Sequence, residues 1–448
     1  MKIYIETLGC VKNQEDSETA AGILENAHHQ IVGVPEEADF IMVNTCGFIN
    51  DAKKESIDKI FEMAQHKQDA EACGEKKCLI VSGCLSERYK EELYKEMPEV
   101  DIFVGVNDYE NLPKIMEEFQ FGTRKKQFST YEKNFLEKGG RKRMGPNYSA
   151  PLKIAEGCDN CCAYCVIPSI RGAYRSRKME DILEEARAMA DQGCKEIILI
   201  AQDVTGYGKD LYGEYRLAKL VEQLCKIEKI HWIRLMYCYE DRISDELIQV
   251  MAREEKVCNY IDIPIQHSTD KLLKAMNRRS THASIMETLT KLRNAMPDIH
   301  IRTTLITGFP GETGQDFLEL ADFVEKMKFE RLGVFSYSKE EGTPAATMKG
   351  QVPSDTKEKR KDALMTMQLD ISLASNEKKI GKTLEVLVEE QEDGYTFIGR
   401  SQYDAPEIDN AVLFTCSCEA DRARIKIGDF VKVQIVDAFD YDLVGELA

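Results

Sequence analysis

The sequence predicts an α/β protein with three parts: an N-terminal parallel α/β domain, an open βα domain and a small C-terminal antiparallel β-barrel. Short runs rich in Val and Ile alternate with amphipathic stretches through most of the chain, which is typical of parallel sheets. The middle of the chain holds six such units, too few for the usual eight-fold closed barrel, so an open, partial (β/α)6 barrel is expected. The last part has short strands, Gly turns and no intervening helices, as small barrels do.

The composition is that of an acidic globular chain rather than a disordered one. Of its 448 residues 43% are hydrophobic, and 60 Lys and Arg stand against 78 Asp and Glu, a net charge of −18. Such a chain is a poor general binder of nucleic-acid phosphates unless it has a local basic patch. Its apolar runs are strand-sized and follow no basic start, so no secretory signal and no membrane contact are expected, and the predicted localisation is cytoplasmic. In that compartment the 15 cysteines indicate metal binding or catalysis rather than disulfides.

The first predicted domain covers residues 1–120 and is followed by a basic linker at residues 121–149. The apolar and amphipathic runs of the domain predict strands Lys2–Thr7, Asp39–Asn44 and Cys78–Ser82 and helices Asp51–Gln65 and Glu87–Met97. The linker is predicted from its Gly residues and from eight Lys or Arg against two Glu. Contact of this basic stretch with an acidic surface or a nucleic acid is the alternative to a solvated connector.

The second domain is predicted over residues 150–378 and the third over residues 379–448. The six strands of the second domain are predicted at Leu152–Glu156, Glu196–Ala201, Trp232–Tyr237, Tyr260–Pro264, His300–Ile306 and Arg331–Ser336. Its helices include Glu180–Gln192, Gly314–Lys328 and a charged helix Asp355–Lys379. The strands of the third domain are predicted at Thr383–Val388, Tyr395–Arg400, Ala411–Thr415 and Phe430–Ala438.

The strongest chemical signal is the cysteine spacing just after the first strand of the second domain. Cys158, Cys162 and Cys165 have CxxxCxxC spacing, which brings three thiolates together from one tight loop, whereas Cys161 does not fit the spacing. Cysteine thiolates are the usual iron–sulfur ligands, and a cluster with three protein ligands leaves one iron open for a substrate or cofactor. The alternative is a zinc site, which normally needs four ligands.

This motif in a six-unit βα domain resembles the radical SAM superfamily. The resemblance implies that the three cysteines hold a 4Fe–4S cluster, that S-adenosylmethionine chelates the fourth iron, and that reductive cleavage yields a 5′-deoxyadenosyl radical. A second element, Thr304–Glu312, resembles the GxIxGxxGE sequence that contacts the adenosyl end of the cofactor. Thr304 replaces the first Gly, so the match is carried by Ile306, Gly308, Gly311 and Glu312. An ordinary strand-to-helix turn is the alternative for this element.

Three further cysteines are distant in sequence, but each follows a predicted strand of the first domain. Cys10, Cys46 and Cys84 each lie at or just past the carboxyl end of a predicted strand of the first domain. Parallel strands of one sheet present these ends at the same edge, where ligand sites of open α/β sheets form. We therefore predict that the three meet as a second three-thiolate site. The alternative is that they are small buried hydrophobic side chains.

Together these pieces resemble the methylthiotransferase family of radical SAM enzymes over nearly the whole chain. The match is carried by the central motif and by Glu6–Cys10, Asn44–Phe48 and Ser82–Cys84. The resemblance implies an auxiliary 4Fe–4S cluster on Cys10, Cys46 and Cys84 and a C-terminal TRAM barrel. It implies two S-adenosylmethionine molecules, one that donates a methyl group to sulfur and one that is cleaved. The implied reaction inserts a CH3–S group at an unactivated C–H bond.

Members of this family modify either a tRNA adenosine or a ribosomal protein, and the charge of the last domain favours the protein. From Gly381 to Ala448 six basic residues stand against fifteen acidic ones, a net charge of −9, which should repel RNA and attract a basic protein. The string Gly399–Asp409 resembles the branch that acts on small-subunit ribosomal protein twelve, at the β-carbon of one aspartate. A tRNA adenosine 2-methylthiotransferase and a non-enzymatic iron–sulfur electron carrier are the alternatives.

Polar residues near the carboxyl ends of the strands of the second domain are expected to hold S-adenosylmethionine; they are Gln202, Asp203, Gln266, His267 and Arg302. Arg175 and Arg177 are candidates to pair with a carboxylate of the cofactor or of an acidic substrate. No side chain is expected to act as a catalytic acid or base, because the cofactor carries the hard chemistry. The resemblance also implies an electron donor such as flavodoxin or ferredoxin, and a basic ribosomal partner that is free or on the ribosome.

Overall fold

The computed structural model describes residues 1–129 and 140–448. Residues 130–139 of the predicted linker, which include Lys133 and Lys138, lie outside the described residues. The chain divides into two compact units. The first consists of Met1–Pro146, Ala155–Asp181 and Glu340–Thr343, and the second of Asn147–Ile154, Ile182–Lys339 and Pro344–Ala448.

The N-terminal part of the first unit is a parallel sheet with helices on both faces. Its strands are β1 (Lys2–Thr7), β2 (Gln30–Ile31), β3 (Phe40–Thr45), β4 (Cys78–Ser82), β5 (Ile102–Val104) and β6 (Lys125–Gln127). Its helices are α1 (Val11–Asn26), α2 (Asn50–Ala72), α3 (Gly83–Glu96) and α4 (Leu112–Glu117). The strand order within the described residues is β2-β1-β3-β4-β5-β6, and every pair is parallel.

The central strands of this sheet form because their side chains are apolar on both faces. β3 and β4 are buried at every position, which is typical of parallel strands covered on both sides. Alternate residues enter two cores: Ile41 and Val81 pack in one, and Met42 and Ile80 pack in the other. The three strands expected from the sequence are confirmed. Part of the predicted linker, the segment of β6, adds an edge strand to the sheet.

The middle of the chain contains a second parallel sheet. The strands in this part of the chain are β7 (Ser149–Lys153), β8 (Ala155–Glu156), β9 (Arg175–Ser176), β10 (Glu196–Ile200), β11 (Trp232–Leu235), β12 (Val257–Gln266), β13 (His300–Thr307) and β14 (Arg331–Ser336). The helices in this part of the chain are α5 (Ile167–Arg171), α6 (Met179–Asp191), α7 (Lys209–Tyr212), α8 (Leu217–Cys225), α9 (Asp245–Arg253), α10 (Asp270–Ala275), α11 (His282–Ala295), α12 (Gly314–Met327), α13 (Pro344–Thr347) and α14 (Ser354–Glu377).

The second sheet is open, as expected from six βα units. Its order in the described residues is β14-β13-β12-β11-β10-β7, with all pairs parallel. The short pair β8 and β9 is antiparallel and belongs to the first unit. No helix within residues 1–129 and 140–448 is long and apolar enough to cross a membrane.

The C-terminal domain is a closed five-stranded barrel. It is formed by β15 (Thr383–Gln391), β16 (Thr396–Ser401), β17 (Val412–Thr415), β18 (Phe430–Ala438) and β19 (Leu443–Leu447), with a short helix α15 (Glu419–Arg422) before β18. The fifth strand, β19, was not expected from the sequence. It closes the barrel by pairing in parallel with β17 and antiparallel with β18, so the barrel is not wholly antiparallel.

Buried ion pairs join this barrel to the amino ends of the strands of the second sheet. Glu196, the first residue of β10, accepts hydrogen bonds from Arg234 of β11 at 2.9 Å and from Arg400 of β16 at 3.0 Å. Burial by itself would raise the pKa of Glu196, but the charges of Arg400 and Arg234 and the hydrogen bonds from Arg400 and Ser149 outweigh it and lower the pKa to about 2. The carboxylate is therefore ionised at neutral pH and holds two cationic side chains.

The Gly399–Asp409 string takes part in the same interface. Asp404 accepts a hydrogen bond from Arg331 at 3.1 Å, and Asp409 accepts one from the hydroxyl of Tyr260 at 2.6 Å. Asp404 is buried, and Arg400 is 2% exposed. These charged residues of the string thus attach the barrel to the second sheet.

Replacing Glu196 with Gln should lower the stability of the protein by about 3–5 kcal/mol, because it leaves the buried guanidinium of Arg234 without a carboxylate and that of Arg400 with Glu389 alone. The matched control is Glu385→Gln, which removes a partly exposed partner of His231 and Lys432 at the same interface and should cost at most about 1 kcal/mol. Thermal unfolding followed by circular dichroism measures both. Equal melting temperatures for the two variants would contradict the role given to Glu196.

Candidate active site

Three cysteines lie at the carboxyl edge of the first sheet. Cys10 precedes α1, Cys46 follows β3 and Cys84 lies in the first turn of α3, directly after β4. Because β1, β3 and β4 are neighbours in the sheet, the loops that carry the cysteines are neighbours too. A methyl group added at Gly9, next to Cys10, would lie 3.0 Å from the sulfur of Cys46, and the sulfur of Cys84 lies 3.7 Å from Oδ1 of Asn13, the third residue after Cys10. The structure therefore brings together the three residues expected to meet.

The backbone at this edge is held in place by Asn13 of α1. Its side-chain amide donates hydrogen bonds to the carbonyl of Leu8 at 2.8 Å and to the carbonyl of Thr45 at 3.0 Å. These carbonyls lie at the ends of the segments that lead to Cys10 and Cys46. Asn13 is fully buried, so its hydrogen bonds are not in competition with water. One side chain thus fixes the separation of two cysteine-bearing loops.

The other three cysteines lie in a loop between β8 and α5 of the first unit. Cys158 and Cys162 are buried, Cys165 is half-buried and Cys161 is exposed. The backbone N–H of Asn160 points to the sulfur of Cys158, and that of Ile167 points to the sulfur of Cys165, both at 3.4 Å. N–H groups directed at sulfur are what iron–sulfur proteins use to stabilise cluster thiolates. The exposure of Cys161 is consistent with leaving it out of the ligand set.

Burial raises the pKa of several of these thiols, as expected for sulfur without a bound cation. The pKa of Cys84 and that of Cys165 are raised to about 12 by burial, and the pKa of Cys46 is raised for the same reason. A thiol must lose its proton to bind metal, so iron binding at these sites would release protons, and the positive charge of the iron would compensate the thiolate charge that burial disfavours. The residues present fit iron–sulfur clusters.

A single metal ion and an iron–sulfur cluster need different arrangements of their ligands. Within the described part of the chain, no three His, Cys, Asp or Glu side chains converge closely enough to hold one ion. In a 4Fe–4S cluster each thiolate binds a different iron, so the sulfurs surround the cluster and need not converge on one point.

The expected cofactor residues mostly gather at the carboxyl edge of the second sheet. Gln202 and Asp203 follow β10, and Gln266 is the last residue of β12. The Ile306–Glu312 element covers the last two residues of β13 and the turn that follows. Gln266 has a φ of +73°, and Tyr237, after β11, has a φ of +58°. Non-glycine residues rarely adopt this conformation, and such strain concentrates at ligand sites.

Two of the expected cofactor residues have other partners. Asp203 is fully buried, caps the turn at Gly206 with a 3.1 Å hydrogen bond and pairs with Arg242. Arg302 is the third residue of β13, and its Nε lies 3.8 Å from Asp409 of the C-terminal domain. It is therefore on the amino half of the strand and is not brought together with the carboxyl-edge group.

Glu312 shapes the turn that follows β13. Its Oε2 accepts a 2.8 Å hydrogen bond from the N–H of Gly308 and lies 3.7 Å from Nε2 of His267, while Oε1 pairs with Arg360 of α14. Nδ1 of His267 accepts hydrogen bonds from the N–H groups of Ser268 and Thr269, so its proton belongs on Nε2, which faces Glu312. Glu312 thus holds the turn after β13 through its hydrogen bond to the backbone of Gly308.

The positions of Arg175 and Arg177 are also defined. Arg175 lies in β9 and donates a hydrogen bond to the carbonyl of Arg171 at 3.3 Å, and Arg177 is buried just after β9.

Sequence reasoning did not find Asn13, Arg171 or Arg360. A single polar residue three positions after Cys10 or six after Cys165 has no periodic signal, and only the three-dimensional contacts identify it.

Comparison with known proteins assigns the family. The radical SAM superfamily pattern matches residues 152–324, an uncharacterized protein family, UPF0004, matches residues 2–105, and the TRAM domain matches residues 380–448. Ribosomal protein uS12 methylthiotransferase RimO of Clostridioides difficile is 48% identical over 100% of this chain and 99% of its own length. The RimO protein of Acetivibrio thermocellus is 49% identical over 100% of this chain and 98% of its own length. The chain belongs to the RimO family of radical SAM methylthiotransferases.

Membership of the RimO family makes the chain a transferase that uses an iron–sulfur cluster and S-adenosylmethionine. A solved structure of the radical S-adenosylmethionine methyltransferase TsrM from Kitasatospora setae, with cobalamin and a 4Fe–4S cluster bound, resembles it in fold. The TM-score is 0.55 at 13% identity, and the match covers 77% of this chain and 76% of TsrM. At this identity the likeness concerns the fold alone.

Replacing Arg360 with Ala should weaken the binding of S-adenosylmethionine about fivefold, because loss of about 1 kcal/mol from the Glu312 pair loosens the turn after β13. The matched control is Lys361→Ala on the same helix, whose partner Glu358 is on the surface. Equilibrium dialysis of the anaerobic protein measures both affinities. Equal affinities for the two variants would contradict the role of this pair.

Proposed function

We propose that the protein inserts a methylthio group at the β-carbon of an aspartate of small-subunit ribosomal protein twelve, using two S-adenosylmethionine molecules and two 4Fe–4S clusters. The observation that carries the proposal is the 48% and 49% identity over the whole chain to two curated relatives named ribosomal protein uS12 methylthiotransferase. One cluster is assigned to Cys158, Cys162 and Cys165. The other is assigned to Cys10, Cys46 and Cys84.

The carboxyl edge of the first sheet supports the proposal of a second cluster. Cys10, Cys46 and Cys84 all lie at this edge: Cys46 directly follows the buried strand β3, and Cys84 lies in α3, which begins directly after the buried strand β4. Scattered structural cysteines have no reason to gather at one edge, whereas ligands of a cluster must do so. The glycine at position 9, with a φ of +91°, allows the Cys10 loop to approach Cys46 closely.

The chemistry divides between the cofactors and the chain. When bound, the clusters and S-adenosylmethionine supply a carbon-centred radical that removes hydrogen from the substrate and a sulfur group that replaces it. The protein binds and orients these groups: six thiolates hold iron, the strained carboxyl edge of the second sheet receives S-adenosylmethionine, and Glu312 holds the turn beside it. No protein side chain needs to transfer a proton at the reacting carbon.

The C-terminal barrel supports a protein substrate over tRNA. Its net charge of −9 disfavours phosphate contacts and favours a basic ribosomal protein. Of the basic residues in this domain, Arg400 is buried in the pair with Glu196 and is not available to RNA. We propose a reductant of the flavodoxin or ferredoxin type as the electron donor, and a location in the cytoplasm, where the ribosome is found.

Deleting the gene should remove a methylthio group from one aspartate of ribosomal protein twelve and leave tRNA unchanged. Mass spectrometry of ribosomal-protein peptides and tRNA nucleosides from cells with and without the gene measures this, and complementation with a variant lacking Cys158, Cys162 and Cys165 should not restore the group. Loss of a 2-methylthioadenosine instead would leave the chemistry standing and overturn the proposed substrate. Loss of neither would contradict the methylthiotransferase proposal.

Replacing Gly9 with Ala should reduce the iron bound by Cys10, Cys46 and Cys84, because the new methyl group would lie 2.7 Å from the Cβ of Cys46. The matched control is Gly74→Ala, which has a similar φ of +84° and nothing within 4 Å of the added carbon. Both variants carry the same backbone strain, of about 1–2 kcal/mol. Iron and sulfide analysis of the anaerobic proteins separates them, and equal iron contents would argue against a cluster at this edge.

A further inference from the structure

We propose that Arg171 is a positioning residue for the cluster assigned to Cys10, Cys46 and Cys84, and that its hydrogen bond to the Cys84 thiolate raises the reduction potential of that cluster. This inference rests on the second cluster of the proposed function. Arg171 belongs to neither cysteine motif and is the last residue of α5, in the segment that follows Cys165.

The contact between Arg171 and Cys84 is direct and buried. Nη2 of Arg171 lies 3.3 Å from the sulfur of Cys84, and the side chains of both residues are shielded from solvent, with Arg171 3% exposed and Cys84 6% exposed. Guanidinium N–H groups only donate hydrogen bonds, so the sulfur is the acceptor in this contact. A thiolate accepts such a bond more strongly than a thiol does, because its charge is negative.

The orientation of Arg171 is fixed by partners on three sides. Its Nη1 pairs with Asp16 at 2.8 Å and with Glu156 at 3.1 Å, and its Nη2 also donates a 2.8 Å hydrogen bond to Oδ1 of Asn13. A planar guanidinium with this many partners cannot rotate without breaking several bonds. The N–H group directed at Cys84 is therefore set in place before a cluster binds.

The same network reaches all three cysteine loops. Asn13, which Arg171 contacts, donates to the carbonyls of Leu8 and Thr45, and these residues lead into the loops of Cys10 and Cys46. Arg171 itself holds Cys84. The pair of Asn13 and Arg171 thus ties the three ligands into one hydrogen-bonded unit, which a packing role for the cysteines would not require.

Arg171 also connects this edge to the loop of the CxxxCxxC motif. Glu156, its second carboxylate partner, accepts a 3.2 Å hydrogen bond from the N–H of Gly157, the residue before Cys158. Both cysteine sets belong to the first unit of the structure. The arginine therefore holds one end of each ligand loop.

The electrostatic consequence is a shift in the equilibrium between the oxidised and the reduced cluster. Reduction adds a negative charge, and hydrogen bonds to cluster sulfur together with nearby positive charge favour the more negative state. Removing Arg171 also leaves the charges of Asp16 and Glu156 beside Cys84 without their cation. Both effects lower the reduction potential.

The test isolates the cluster in question by replacing Cys158, Cys162 and Cys165 with Ala in the full-length chain. In this background Arg171 is compared with Arg171→Lys and Arg171→Met by potentiometric titration followed by electron paramagnetic resonance. Arg171→Met should shift the reduction equilibrium about tenfold toward the oxidised cluster, which is about 59 mV for one electron. Arg171→Lys, which keeps the charge but loses the forked geometry, should shift it less in the same direction.

The matched control is Arg141→Lys, which alters another buried arginine paired with a carboxylate of α1, Glu18, and should leave the midpoint unchanged. An unchanged midpoint in Arg171→Lys and in Arg171→Met overturns the inference while the proposed function stands. If Arg171→Met holds no iron, Arg171→Lys decides: a lower midpoint supports the inference and an unchanged one overturns it. Absence of iron with Arg171 intact in the triple-Ala background overturns the second cluster itself.

Discussion

The order of the parallel strands in the first sheet is the constraint on which the arrangement of Cys10, Cys46 and Cys84 depends. The strands β1, β3 and β4 are neighbours in one sheet, so the loops at their carboxyl ends share an edge although Cys10, Cys46 and Cys84 are far apart in sequence. Burial of β3 and β4 on both faces fixes the register, because a slip by one residue would exchange the two cores. The positions of the sulfurs therefore depend on the apolar packing of Ile41, Val81 and their neighbours.

The strand pattern made much of this arrangement predictable. Long apolar runs such as Cys78–Ser82 and Arg331–Ser336 have the bounds expected from the sequence, since a buried strand has a strong hydrophobic signal. Strands of two or three residues, such as β2 and β5, have too few side chains to show a pattern, and β19 is recognisable only from its partners in the barrel. Polar residues such as Asn13, Arg171 and Arg360 are harder still, because their roles come from contacts across the fold.

The string Gly399–Asp409 illustrates how a sequence signature and its physical role can differ. The string resembles a branch that acts on a ribosomal protein, which suggests a surface for the substrate. In the structure Arg400, Asp404 and Asp409 are directed at Glu196, Arg331 and Tyr260. Their direct task is to attach the barrel to the amino ends of the second sheet, on the side away from the carboxyl edge where the cofactor residues lie. The acidic surface of the barrel is then presented by a firmly attached domain.

The central claim is that two separate sets of three cysteines each hold a 4Fe–4S cluster, and counting iron tests it most directly. Iron and sulfide analysis with Mössbauer spectroscopy should find about eight iron atoms per chain in the anaerobic protein. It should find about four in a variant with Cys10, Cys46 and Cys84 replaced by Ala, and about four in one with Cys158, Cys162 and Cys165 replaced. Full loss of iron on replacing Cys158, Cys162 and Cys165, with no loss on replacing the other three, would contradict the account.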